Sequence, residues 1–449
     1  DPSDWAAMRT IAHKMVDEMM DFIQNIHEQP VWKPIPEEIK DNYQNSLPLD
    51  GIPIDEVYEE FKRTILPYYK GNIHPTFWAW VQGTGSATAA MADMLASFMN
   101  SNVTIGEHSA MYIDAQVVNW CKEMMGFPKE ASGLLTSGGS MANFTALTVA
   151  RNTFTKGTAR FRGLKELDKQ LVIYCSDETH SCVIKAIEVL GIGSDYIRKI
   201  AVNDHYQIDI KILQSAIEKD IGMGLQPFCI VANVGTVNTG AIDDLEAIKS
   251  LCDTFGLWMH VDGAFGALTK LVPSFQKQLK ILEQVDSLVF DLHKWMYMPY
   301  EVGCVLFQSA KAHRASYAIE PNYLLKHERG LAAGPDSLNN FGLELSRGFK
   351  ALKVWMSLKE NGIQKYAQLI EQNILQIKYL SILVEDNPNL ELCAPVVMNV
   401  LCFRYYDPSI PELDLDVINK GIVMALQERG IASPSSTILH GRYCIRVAH

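Results

Sequence analysis

A lysine placed where burial would be costly is the first residue here that could do chemistry. In Ser287-Leu288-Val289-Phe290-Asp291-Leu292-His293-Lys294-Trp295 an apolar run ends and Lys294 follows almost at once. Such a lysine must be neutral, paired or covalently used, and an imine to an aldehyde cofactor is a covalent use. The alternative is a side chain that merely snorkels from a strand end. His293 beside it suits a proton donor or a phosphate contact.

One strand–helix–strand unit earlier, Trp258-Met259-His260-Val261-Asp262-Gly263-Ala264 ends an apolar run in an acid. That puts Asp262 at the edge where open α/β sheets bind ligands. A carboxylate there can pair with a protonated ring nitrogen. At about 4 Å and an effective dielectric near 20 the attraction is roughly 4 kcal/mol. This equals about three pKa units, enough to keep a weakly basic pyridine protonated. The bland alternative is an acid capping the next helix. Leu134-Leu135-Thr136-Ser137-Gly138-Gly139-Ser140 precedes a helix near Met141. Its glycines let backbone N–H groups approach an anion, and the helix N-terminus adds its positive end, so a phosphate fits. A capped turn is the competing reading. In Tyr174-Cys175-Ser176-Asp177-Glu178-Thr179-His180-Ser181 a strand again ends before a histidine. His180 is read either as a flat ring able to stack on an aromatic cofactor or as a helix cap.

These pieces need a scaffold. Leu171–Cys175, Phe228–Ala232, Trp258–Val261, Ser287–Phe290 and Cys304–Phe307 read as buried strands, with helices such as 141–152 and 243–255 between them. The alternation predicts an α/β fold with a mainly parallel sheet covered on both faces. Ahead of it, apolar residues at helical spacing predict a helix over 5–28, an extended Pro-rich segment to Pro53 and a helix over 55–66. A long helical stretch from Phe341 to about 385 and strands near 400–405 and 443–447 close the chain. The expected division is an N-terminal helical arm (1–75), a large domain (76–345) and a small C-terminal α+β domain (346–449). Two helices and a Pro-rich arm cannot bury their own apolar faces, so the arm is expected to wrap another surface.

With 449 residues, 48% apolar and 20% charged, the composition is globular. A net charge of −12 argues against nucleic acid or an anionic membrane as main partner. No apolar run is long enough to span a membrane, and the start lacks the features of a signal peptide. Nine cysteines without a Cys-x-x-Cys pair fit reduced thiols in a cytoplasmic protein.

Together the motifs resemble the group II pyridoxal-phosphate-dependent amino-acid decarboxylases, a family that includes aromatic-L-amino-acid, histidine and glutamate decarboxylases. The likeness runs nearly end to end. It takes in Lys14-Met15-Val16-Asp17, His74-Pro75-Thr76-Phe77-Trp78-Ala79, the Ser-Gly-Gly-Ser turn, Ser176 to Ser181, His260 to Ala264, Asp291 to Trp295, and Arg446. His-Lys-Trp after His-Val-Asp-x-Ala is its most specific mark.

The resemblance implies fold type I, a homodimer, and pyridoxal 5'-phosphate held as a Schiff base on Lys294. It implies Asp262 as partner of the pyridine nitrogen, His180 stacked on the ring, and Ala264 beneath it. Gly139, Ser140 and His293 would lie near the phosphate, and Arg446 near the substrate carboxylate. Thr236 falls in the family's Gly-Thr-Thr turn, whose second threonine is Val237 here. The implied reaction is decarboxylation of an L-amino acid to its amine. Phe77, Trp78 and Trp80 point to an aromatic or bulky apolar substrate, or are core residues.

One departure stands out. The family carries a proton-donating tyrosine on a loop after a segment matching Tyr323-Leu324-Leu325-Lys326-His327 here. Counted back without a gap from the helix at 349–355, that place is Leu338, and Gly330 to Asn340 holds no tyrosine. Loss of that donor in the family favours reaction with oxygen to an aldehyde. The expectation is that either another acid is recruited, His180 being the nearest candidate, or the chain leaves the simple decarboxylase path. A pyridoxal-phosphate-binding protein without turnover is the remaining alternative.

Overall fold

The apolar runs do form a twisted central sheet, and its alternation explains why. The computed structural model describes residues 2–319, 321–324 and 326–449. Twelve strands are β1 (Phe77–Trp78), β2 (Ser132–Thr136), β3 (Leu171–Ser176), β4 (Ile197–Ile200), β5 (Gln226–Asn233), β6 (Trp258–Asp262), β7 (Ser287–Asp291), β8 (Gly303–Phe307), β9 (Leu390–Leu392), β10 (Val400–Tyr405), β11 (Ser433–Leu439) and β12 (Arg442–Ala448). The large sheet runs β2-β8-β7-β6-β5-β3-β4. Only β8 opposes the rest, being antiparallel to both neighbours.

Every residue of β3 is buried. Val172 and Tyr174 pack into one hydrophobic cluster, while Leu171, Ile173 and Cys175 pack into another across the sheet. Period-two side chains with no polar face are what a strand covered on both sides requires. On the second face lies the helix Gly139–Phe154, whose Ala142, Ala146, Leu147, Val149 and Ala150 are all buried.

A second sheet, β1-β11-β12-β10-β9, closes the C-terminal part, with β1 joining β11 in parallel and the other pairs antiparallel. The N-terminal helices are Trp5–Gln24 and Ile54–Thr64. The Pro-rich stretch between them is not wholly extended, because Glu37–Asn42 makes a short helix. Pro36 is its N-cap and Glu37 and Glu38 occupy its first turn, where acids suit the helix dipole. The long helical stretch starts at Ala351 rather than Phe341 and reaches Glu385, broken into two helices at Gly362 (φ 67°). The preceding segment is pinned to residues 102–103 instead: Val103 N–H donates to the Arg347 carbonyl, and Arg347 N–H to Asn102 Oδ1. All nine cysteines are free thiols, eight of them buried.

Candidate active site

β2, β3, β5, β6 and β7 all end on one side of the large sheet, and a cavity of about 830 Å³ opens there. Its wall includes Ser137 to Met141, His180, Asp262, Ala264, His293, Lys294 and Arg446. Residues from five separate motifs therefore share one space.

The turn after β2 gives the cavity a positive end. Gly138 is N-cap of the helix Gly139–Phe154 at φ 140°, with no side chain capping the first N–H groups. A Cβ on Gly138 would sit 3.0 Å from His293 Cε1, and one on Gly139 2.9 Å from Asp291 Oδ2. Only glycine lets the backbone approach so closely, which leaves an open cradle for an anion.

Asp262 is buried at the end of β6. Its Oδ1 accepts the Ala264 N–H at 3.1 Å and its Oδ2 accepts Asn143 Nδ2 at 3.1 Å. Burial pushes its carboxyl above the usual range, against the pull of Lys294 and the Ala264 N–H. A chain of hydrogen bonds fixes it from behind. Trp258 Nε1 donates to Ser287 Oγ (2.8 Å), which pairs with His260 Nδ1 (2.9 Å), and His260 Nε2 pairs with Asn143 Oδ1 (2.7 Å). Since Asn143 uses its NH₂ on Asp262, its oxygen must accept from His260 Nε2–H; Ser287 then donates to Nδ1. Burial drives the His260 pKa down to about 3, consistent with that neutral tautomer.

Lys294 lies on the single turn Leu292–Trp295 after β7, with Nζ 3.0 Å from Asp291 Oδ2. Burial works against its charge, but the charge and hydrogen bond of Asp291, then Asp262, raise its pKa overall. Asp291 Oδ1 is buried without a partner. His180 caps the helix Ser181–Val189, accepting Cys182 N–H at Nδ1 (3.2 Å), yet also lines the cavity. The cap and the functional reading are thus compatible. His293 accepts Val302 N–H at Nδ1 (3.1 Å). Burial lowers the pKa of both histidines.

Four residues singled out from the sequence do not reach this wall. Thr236 is buried, pairing with Thr239 Oγ1 at 3.0 Å and accepting Ala241 N–H at 3.0 Å, so its hydroxyl ties the loop together. Val237 and Asn238 take the wall position instead. Phe77 and Trp78 are held in β1, with Trp78 packed against the cluster of Ile377 and Leu401. Trp80 lines the cavity in their place, where the chain leaves β1 with Trp80 at φ 58°. Leu338 lies in the turn Leu338–Asn340, its N–H bonded to the Thr104 carbonyl and its side chain packed on the core. Leu325 of the preceding segment lies outside the described residues. Arg446 does line the cavity, but its guanidinium is spent on the Val237 (2.7 Å) and Asn238 (3.0 Å) carbonyls and Ser435 Oγ (3.3 Å).

Asn143, Asp291 and Tyr300 were missed, whereas Trp80, read with Phe77 and Trp78 as a pocket aromatic, does line the cavity. Asp291 obeys the same strand-end rule that selects Asp262, and Asn143 stands one helical turn after Gly139, so both carried a readable signal.

The family model described as the pyridoxal-dependent decarboxylase conserved domain matches residues 36–406. The chain belongs to this family. An aromatic-L-amino-acid decarboxylase of Bacillus atrophaeus is 34% identical over 444 residues, covering 98% of this chain and 90% of that relative. A phenylacetaldehyde synthase of Arabidopsis thaliana is 26% identical, covering all of this chain and 92% of that one. Among solved structures, Oryza sativa TDC with PLP and tryptamine superposes with a TM-score of 0.92 at 26% identity, over 100% of this chain and 94% of that one. The fold is therefore fold type I, the cofactor pyridoxal phosphate and the enzyme class a carboxy-lyase. The residues present fit that cofactor. An uncapped helix N-terminus suits a phosphate's charge, a buried acid suits the ring nitrogen, and a lysine amine lies on the same wall.

Proposed function

We propose that this enzyme decarboxylates an L-amino acid with an aromatic or bulky apolar side chain to its amine. The convergence of Lys294, Asp262, His180 and the glycine turn on one cavity carries the reading. Bound pyridoxal phosphate supplies a sink for the electrons released when the carboxylate leaves as carbon dioxide. In this reading Gly139, Ser140 and His293 hold the phosphate and Asp262, oriented by Asn143, holds the ring nitrogen. Ala264 and His180 pack the two faces, and Lys294 is the covalent anchor. Trp80, Val81 and Phe265 on the wall favour an apolar side chain, as does the naming of the Bacillus relative. Arg446 serves by holding the 237–238 loop at the carboxylate end.

The proposal keeps the division into 1–75, 76–345 and 346–449, with β1 crossing to the C-terminal sheet. It includes a homodimer, supported by exposed Leu47, Leu49 and Ile52 on the arm and Phe98 and Met99 at the end of the helix Ala87–Met99, surfaces that water does not favour. No helix among the described residues is long and apolar enough to cross a membrane.

A second reading has one specific observation behind it. Residues 330–340 contain no tyrosine and Leu338 is packed away. An enzyme without a donor at Cα would convert the amino acid, O2 and water to aldehyde, carbon dioxide, ammonia and hydrogen peroxide. A panel of L-amino acids assayed together for carbon dioxide, amine, aldehyde and peroxide separates the two. Amine equal to carbon dioxide supports the first, aldehyde equal to peroxide the second. Lys294→Ala should abolish visible absorbance of reconstituted enzyme; persistence of that absorbance refutes the anchor.

A further inference from the structure

We propose that Tyr300 is the catalytic acid that returns a proton to Cα after carbon dioxide leaves. This rests on the decarboxylase reading above and supplies the donor that residues 330–340 lack.

Among the described residues lining the cavity, Tyr300 is the one phenol. Its ring centroid lies 4.6 Å from that of His293, next in sequence to Lys294, and the residue is 51% exposed, so it is accessible from the cavity. The charges of Lys294 and Asp291 and the backbone of Gly83 act on the phenol. A Cβ at Gly83 would stand 1.7 Å from the His293 carbonyl oxygen, so only glycine fits where this segment passes the site. Burial raises the phenol's pKa, with Lys294 and the Gly83 N–H opposing it. The group is a protonated acid at neutral pH whose anion the Lys294 charge favours.

The other cavity acids are poorer donors. His180 and His293 each accept a backbone N–H at Nδ1, and burial disfavours their cations. Each is thus a neutral imidazole, whose remaining N–H is a far weaker acid than a phenol. The Lys294 ammonium is held by Asp291 at 3.0 Å. Glu301, next to Tyr300, is paired with Lys350 at 3.3 Å. In the step proposed, the electron pair left by the broken bond between Cα and the carboxylate carbon forms the new C–H bond. The Tyr300 O–H bond breaks, and the phenolate takes a proton from water to reset.

Tyr300→Phe keeps the ring against His293 and removes only the hydroxyl. Loss of a general acid should lower amine formation about a hundredfold, with aldehyde and peroxide taking up part of the carbon dioxide released. Visible absorbance of the bound cofactor should be unchanged. Amine output within about threefold of the parent overturns the proposal. A readout free of turnover uses ¹³Cζ-tyrosine NMR of the cofactor-free protein. The resonance absent from Tyr300→Phe should remain in the phenol form through pH 9 and shift when 3-phenylpropanoate fills the cavity. Indifference of that resonance to 3-phenylpropanoate also overturns it. If the parent enzyme releases no carbon dioxide from any amino acid, the decarboxylase reading itself has failed, whatever the NMR shows.

Discussion

Replacing Asp262 by asparagine isolates charge from shape. The two carboxylate oxygens each accept one N–H, from Ala264 and from Asn143, both at 3.1 Å. An amide has a single acceptor oxygen, so either orientation sets an NH₂ against a donor in a buried place. That confrontation costs about 1–3 kcal/mol. Attraction to a protonated ring nitrogen is lost as well, roughly 4 kcal/mol at 4 Å with an effective dielectric of 20. The second loss equals about three pKa units, so the ring nitrogen of bound cofactor would be largely unprotonated at neutral pH. Carbon dioxide release at saturating substrate should therefore fall about a thousandfold if the whole effect reaches the barrier. Cofactor affinity, followed by fluorescence during reconstitution, should weaken by at least about tenfold. Asp262→Asn with a rate within about tenfold of the parent would show that the buried acid is not the ring nitrogen's partner.

Two more outcomes follow from the geometry. Gly138→Ala places a Cβ at φ 140°, 3.0 Å from His293, and so should cost about tenfold or more in cofactor affinity in an equilibrium titration; unchanged affinity would mean that the turn does not touch the cofactor. His260 and His313 are both pushed down by burial to about 3 from the 6.5 of a free side chain. Below pH 6.5 the unfolded chain takes up protons that the folded chain refuses, so stability should fall as pH falls from 6.5 toward 3. Each histidine contributes a slope of about 1.4 kcal/mol per pH unit in the acid part of that window. Thermal melts of the parent should drop from pH 6.5 to 4.5, and His313→Gln should flatten the decline.

Much of the site was legible because strand ends leave a local signature. Lys294, Asp262 and His180 each follow a run of apolar, β-branched residues, and such runs are hard to bury in any other way. The large sheet's central strands came from the same signal. Ile197–Ile200 did not, since only Ile200 of its four residues is buried and the strand carries Arg198 and Lys199. Phe77, Trp78 and Trp80 read together as pocket aromatics, but the left-handed Trp80 breaks the strand's period of two, and Trp80 alone of the three reaches the wall. Thr236 misled for the opposite reason: a hydroxyl near a ligand-binding loop is equally useful inside the loop, where it bonds Ala241. The late start of the 351–385 helix depends on partners at 102–103, some 245 residues away, which no local window contains.

Residues 76–83 are threaded through both halves of the molecule. Ser433 N–H binds the Thr76 carbonyl and Ser435 Oγ accepts from Trp80 N–H, while Asn72 Nδ2 holds the Gly83 carbonyl where the backbone presses on His293. A rotation of the C-terminal sheet would therefore drag one side of the reaction chamber with it like a cord fastened at both ends. Chamber width and the attitude of the C-terminal sheet form a single mechanical variable, so a cross-link between that sheet and the large one would be felt by the substrate even if it lay far from any reacting atom.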